Sequence, residues 1–280
     1  MAESEDQQEM LKTLNCSGYP LQIAIAQAVM QQRQQGAGPG RNRWGVLYAE
    51  HAWKDPGSGD GGFLDLVLEN DAQTTVLAVE CKRVRDASWL FLSGSGEPAS
   101  RRQAKLWLTD RMNNLGGWWD VPLDPASPQC EFCTIHGGGS KGRQTIEPVA
   151  AELVAATEAL AREEGPYSVN VRMYASVIVT TASLHVARFD ARAIGLSDGE
   201  IPDAEFVEVP HVRFRKQLSV HPSSQQRDAD SPPGKWLAAV KEHTVFIVNA
   251  AHFVEFLAAW EIDDRSIADI QRSGLGLSVV

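Results

Sequence analysis

The stretch that decides the fold reads Phe63-Leu-Asp-Leu-Val-Leu-Glu69, then Asn70-Asp-Ala-Gln73, then Thr74-Thr-Val-Leu-Ala-Val-Glu-Cys-Lys-Arg83. Both flanks are rich in aliphatic and β-branched residues, and Asn-Asp marks a reversal between them, the composition of two paired strands. Side chains on a strand alternate faces with a period of two. With the bend centred between Ala72 and Gln73, Leu66 stands across from Val79, Leu68 across from Leu77, and Asp65 across from Glu80. One face of this hairpin is then apolar, and the other carries Asp65, Glu80 and Lys82.

Opposed carboxylates on neighbouring strands, their β-carbons about 5 Å apart, repel one another unless a cation sits between them. Oxygen donors of this kind suit Mg²⁺ or Mn²⁺, which take one or two carboxylates and complete their shell with water and phosphate oxygens. Lys82, two residues beyond Glu80 on the same face, places an ammonium where it can touch an attacking water or a phosphate oxygen. Two acids and a lysine so arranged point to metal-assisted hydrolysis of a phosphodiester. A structural ion pair on a sheet surface is the plainer reading of the same residues.

At these positions the sequence resembles the PD-(D/E)XK, or restriction-endonuclease-like, phosphodiesterase superfamily. Asp65 falls where that family has its hairpin aspartate, and Glu80-Cys81-Lys82 matches its (D/E)-x-K element, with Leu64 in place of the preceding proline. The resemblance implies an α/β fold, a mixed central β-sheet flanked by helices. It also implies a Mg²⁺- or Mn²⁺-dependent nuclease, with Asp65 and Glu80 on the metal, Lys82 supporting the nucleophile or transition state, and DNA favoured over RNA as substrate. Chains that resemble this one are often tied to restriction, repair or phage defence.

Around the hairpin, apolar Leu21, Ile25, Ala28 and Val29 recur near helical spacing from Pro20 to Gln34, with a Gly-Pro-rich break after them. Many family members carry an acid where this helix has Gln22, so Gln22, a poor metal ligand, either orients water or substrate or is an exposed helix glutamine. Trp44 to Trp53 alternates as a strand and brings Glu50 towards the hairpin, as a third carboxylate or as an ordinary surface charge. Ser100-Arg-Arg-Gln-Ala-Lys105 reads as the start of a helix running to Asn114. Arg101, Arg102 and Lys105 would then stand at a phosphate-attracting N-terminus. In the resembled family the helix after the E-x-K strand presents a polar residue to the nucleic-acid backbone, a role open to Gln103 or Arg102. Solvated basic residues are the alternative.

The chain has 280 residues and 26 Lys plus Arg against 36 Asp plus Glu, a net charge of −10 that excludes loose, charge-driven nucleic-acid binding. Contact with a polyanion must use a local basic strip, and Arg213 with Arg215, on one face of the strand-like Val207–Leu218, extends the set. No apolar run is long enough for a bilayer and no leader is evident, so a cytoplasmic protein is expected. Four cysteines without a secretion signal read as free thiols; Cys130-x-x-Cys133 with His136 is only part of a zinc site.

Trp118-Trp119 is a base-stacking pair or, more simply, core. His136–Gly142 reads as a flexible turn. Thr145–Glu164 is the clearest helix, with Val149, Leu153, Ala156 and Leu160 on one stripe. Strands are expected at 176–180, 184–189 and 244–249, a polar loop at 221–234 and a closing helix at 251–260. Residues 1–16 read as a flexible, at most weakly helical acidic tail, 17–262 as one nuclease-like domain, and 263–280 as a C-terminal tail. A protein partner or a homo-oligomer stays open. The alternative function is a catalytically degenerate member that binds as a subunit of a larger complex.

Overall fold

In the computed structural model, which describes residues 2–34, 43–55, 59–110, 115–137, 146–165, 171–218, 241–262 and 268, the chain opens with two helices, α1 (Ala2–Cys16) and α2 (Tyr19–Gln34). Residues 2–16 are thus helical rather than a loose tail. Three antiparallel strands follow: β1 (Trp44–Lys54), β2 (Gly61–Asn70) and β3 (Thr75–Lys82). The β2–β3 pair sets Leu66 against Val79 and Leu68 against Leu77 as expected, but the ladder ends there, and the expected pairing of Asp65 with Glu80 is not part of it. Asn70 fixes the register: its side-chain oxygen accepts the backbone N–H groups of Thr74 and Thr75, each at 2.9 Å, and Gln73 takes the left-handed φ of 56° that closes the turn.

Beyond β3 the chain runs through β4 (Ala87–Leu92), β5 (Ser100–Asp110), β6 (Leu115–Cys130), β7 (Phe132–Gly137), helix α3 (Glu147–Glu164), β8 (Arg172–Thr180), β9 (Ser183–Arg188), β10 (Glu205–Glu208), β11 (His211–Gln217), β12 (Glu242–Asn249), helix α4 (Phe253–Ala258) and the short β13 (Glu261–Ile262). The class is mixed α/β, with far more strand than helix. One sheet has the order β1-β2-β3-β8-β12-β11-β6-β13, and β3 lies parallel to β8. Strand β5 pairs with both β6 and β8, so β8, β12, β11, β6 and β5 close into a ring. A second sheet has the order β10-β9-β4-β7.

Two expectations are corrected here. Residues 100–110 form a strand, not the opening of a helix. Ala104, Leu106 and Leu108 face one core while Trp107 faces the other, a period of two that buries both sides, and tertiary pairing outweighs the helical tendency of Ala, Leu and Lys. A single central sheet is replaced by a nine-stranded sheet and a four-stranded one, the latter taking in β7 and the strand expected at 184–189. The regions expected as a turn at 138–142, a polar loop at 221–234 and a C-terminal tail at 263–267 and 269–280 lie outside the described residues.

The large sheet separates two apolar layers. On one side α2 and α4 cover Leu66, Leu77, Val79, Val177 and Phe246, all with essentially no exposure. On the other, α3 lays Leu153, Ala156 and Leu160 over Val76, Ala78 and Ile178, and the layer continues to Trp89 and Phe91 of the second sheet. Each fully buried Leu, Ile or Phe contributes about 1.5–3 kcal/mol. The hairpin that carries the acids is therefore clamped from both faces.

Candidate active site

At the end of the hairpin Asp65, Glu80 and Lys82 are half-buried, and β2 and β3 no longer form a regular ladder. The Asp65 carboxylate fills the gap, Oδ2 accepting the Cys81 backbone N–H at 2.6 Å. Glu80 and Lys82 share the α3 side of β3, and Lys82 Nζ donates to Glu80 Oε1. Ala49 faces Leu66 and His51 faces Leu64, so Glu50 of β1 stands level with Asp65. Glu50 holds a positive φ of 52°, a backbone state that costs a non-glycine residue about 1–3 kcal/mol and must be secured by its surroundings.

Part of that securing comes from α2. Gln22 is buried, and its Nε2 donates both to Glu50 Oε1 at 2.7 Å and to the main-chain oxygen of Asp65 at 2.8 Å. Gln22 is therefore not an exposed helix residue: both its bonds go to protein groups, and they join β1 to β2. The structure brings together Gln22, Glu50, Asp65, Glu80 and Lys82, from four different elements.

Burial raises the pKa of Asp65, against the hydrogen bond from Cys81 and the charge of Lys82, and the charge of Glu50 adds to the rise. Burial likewise raises Glu80, against its bond from Lys82, with Asp65 and Glu152 as further repelling charges. A carboxylate disfavoured by desolvation and by like charge gains most from a bound cation. Asp65 Oδ1 has no hydrogen-bond partner among the described residues. These donors are all hard oxygens, and they fit a divalent ion that keeps several waters. Among the described residues no group of three or more Asp, Glu, His or Cys side chains is placed to hold a metal ion, so a cation here would rest on two carboxylates and water.

Glu152 was not singled out in the sequence. It sits on α3, and its Oε1 lies where a side-chain β-carbon at Gly62 would be 3.4 Å away. It follows the E-x-K strand on a helix, the signal that should have found it, but that signal was assigned to residues 100–114.

The basic residues lie elsewhere. Arg213 has no exposure; its guanidinium donates to the carbonyls of Pro125 (2.8 Å), Leu123 (2.8 Å) and Arg102 (3.3 Å) and to Ser127 Oγ (2.8 Å), and it lies over the Phe246 ring. Burial draws its pKa down to about 10. It pins β6 to β11, and its remaining donor, Nε, is buried out of reach of a phosphate. Arg215 is held by Asp120 and Glu242, Arg102 is held in two bonds by Asp124, and Lys105 is buried with Asp120 at 4.0 Å. Strands β8 and β12 stand between β11 and β3. Arg101 and Gln103 are exposed at the start of β5, not at a helix N-terminus. The basic side chains that follow the acids directly are Arg83 and Arg85, the latter donating to the Asn15 carbonyl at 3.3 Å.

The remaining candidates resolve into packing. Trp118 is buried edge-on to Trp107, with its Nε1 donating to Glu158 at 3.0 Å. Cys81, Cys130 and Cys133 are buried thiols whose pKa burial pushes up, Cys130 to about 12, which makes them poor nucleophiles. Among the described residues no helix is long and apolar enough to cross a membrane. No family model, no curated protein and no solved structure matches this chain.

Proposed function

We propose that this chain is a Mg²⁺- or Mn²⁺-dependent nuclease that hydrolyses phosphodiester bonds, with DNA favoured over RNA, and that the unit α2, β1, β2, β3, α3, β8 is a restriction-endonuclease-like core. The observation that carries the reading is the convergence of Asp65, Glu80 and Lys82 at one strand end, with both carboxyl pKa values raised by burial. Asp65 and Glu80 would hold the metal, which when bound lowers the pKa of water and offsets charge on the phosphate. Lys82 offers its ammonium to the phosphoryl oxygen on which negative charge develops. Gln22 holds Glu50 and the Asp65 backbone in place. Arg83 and Arg85 would meet the flanking phosphates, in place of the strip first read at Arg101, Arg102, Lys105, Arg213 and Arg215.

The burial of Arg213 and Lys105 and the pairing of Arg102 and Arg215 favour a second reading, a degenerate nuclease-like subunit that binds a protein. The deciding experiment incubates the purified protein with circular and linear duplex DNA, single-stranded DNA and RNA, in Mg²⁺, Mn²⁺ or chelator. Cleavage that requires metal and is lost in Asp65→Asn, Glu80→Gln and Lys82→Ala is expected. No cleavage of any of the four substrates would favour the binding subunit.

A further inference from the structure

Helix α1 is exposed on every side from Asp6 to Leu14. Met10, Leu11 and Leu14 are 56%, 56% and 58% exposed, and their spacing puts all three on one face. An isolated helix of 12–15 residues is marginal in water, and most helical stability in proteins comes from packing an apolar face. Helix α2 buries Leu21, Ile25 and Val29 against the sheet, yet its outer side shows Tyr19 at 60%, Ile23 at 61% and Met30 at 41%. Spacings of four and seven set these three along one line. Among the described residues, then, two apolar helix faces joined by Ser17-Gly18 have no partner.

Charge selects what covers them. The α1 sequence holds Glu3, Glu5, Asp6 and Glu9 against Lys12, whereas α2 has no carboxylate and one base, Arg33. Two α1 helices laid together would set Asp6 and Glu9 of one against Asp6 and Glu9 of the other. An α1 helix laid on an α2 helix meets no like charge, the one base of α2, Arg33, being paired with Asp71 at 3.1 Å. Within one chain α1 does not fold back along α2, because its residues 6–14 stay exposed. Two chains related by a two-fold axis satisfy both faces at once, since each α1 lies on the other's α2 and the contact is made twice.

We propose that the protein is a homodimer in which α1 of each copy packs on α2 of its partner, Met10, Leu11 and Leu14 meeting Tyr19, Ile23 and Met30. Because α2 also carries Gln22, dimerisation braces the helix that holds Glu50 and Asp65.

The test is sedimentation equilibrium of the full chain with three proteins. The unaltered protein should have twice the 30.6 kDa mass of one chain. Leu11→Glu with Leu14→Glu, and separately Ile23→Glu, should each weaken association at least tenfold. The substituted positions are more than half exposed, so circular dichroism and melting of the β-sheet core should be unchanged. Mixing the two variants should restore association part-way. The mixed dimer regains one of its two contacts, unaltered α1 on unaltered α2, which neither variant has by itself. A monomeric parent at about 100 μM, far above the μM dissociation constants of ordinary weak complexes, would overturn the proposal. So would variants that dimerise like the parent. A mixture no tighter than its components would overturn the α1-on-α2 arrangement in particular.

Discussion

If Asp65 and Glu80 hold a cation, the metal must stabilise the folded chain, because the site does not exist in the unfolded one. A ligand at about 100 times its dissociation constant adds about 2.7 kcal/mol. With an unfolding entropy of about 2.1 cal/mol/K per residue, 280 residues give about 0.6 kcal/mol/K, so the melting temperature should rise by about 4–5 °C. Asp65→Asn can still accept from Cys81 N–H and loses only charge, and Glu80→Gln likewise still has an oxygen for Lys82. Opposed like charges cost about 0.2–1 kcal/mol, so without metal each variant should melt at the parent temperature or about 1 °C above it. Both should lose the metal shift. The assay is a thermal melt in chelator and then in Mn²⁺ or Mg²⁺ up to about 10 mM, with Lys82→Ala as a control that keeps both carboxylates. An equal shift in parent and variants would place the cation elsewhere, and no shift in the parent would remove it from the site.

Removing the Arg213 side chain by Arg213→Met leaves the carbonyls of Pro125, Leu123 and Arg102 short of donors. A loss of about 3 kcal/mol or more in urea unfolding is expected, with no specific effect on the salt dependence of nucleic-acid binding. Arg83→Ala with Arg85→Ala should instead lower the slope of log affinity against log salt by about two, measured in Ca²⁺, and an unchanged slope would take the substrate away from these residues. His243 is fully buried against Trp118, and burial lowers its pKa to about 4. The neutral folded form therefore contributes stability that is whole above pH 6.5 and is lost as pH falls towards 4. Between pH 7 and pH 5 His243 should account for a loss of about 2 kcal/mol, read by denaturant titration as the difference between the parent and His243→Gln, while the loss that remains in the variant belongs to His211, whose pKa burial also lowers to about 4. The raised pKa values of Asp65 and Glu80 act in the opposite sense, so Asp65→Asn should steepen the acid loss.

The hairpin was legible because its information is local. Asn70 sets the turn, the period of two sets the faces, and the register follows from counting. Asp65, Glu80 and Lys82 came with it. Glu50 was legible as a candidate, but its left-handed backbone and its bond to Gln22 depend on a helix 28 residues away. Strand β5 was misread because Ser-Arg-Arg-Gln-Ala-Lys is an acceptable helix start, and only its partners, β6 and β8, make it a strand. The same non-local pairing hid the ring and the second sheet. Arg213 and Arg215 alternate as a strand should, but alternation shows which side chains share a face, not whether that face meets water or Phe246.

The parallel pairing of β3 with β8 joins Thr75 to Met173 and Lys82 to Thr180, residues about a hundred positions apart. During synthesis the acidic hairpin is therefore complete long before the strand that covers its inner edge exists. Until residue 180 has emerged, Val76, Ala78 and Val79 present an open, apolar strand edge, the kind of surface that pairs with other chains. The ring cannot close until β12 arrives, at residue 249. Contacts this distant in sequence make folding slow. A ribosome-bound chain shorter than about 180 residues should therefore depend on a chaperone to keep that edge single, and should have no assembled site.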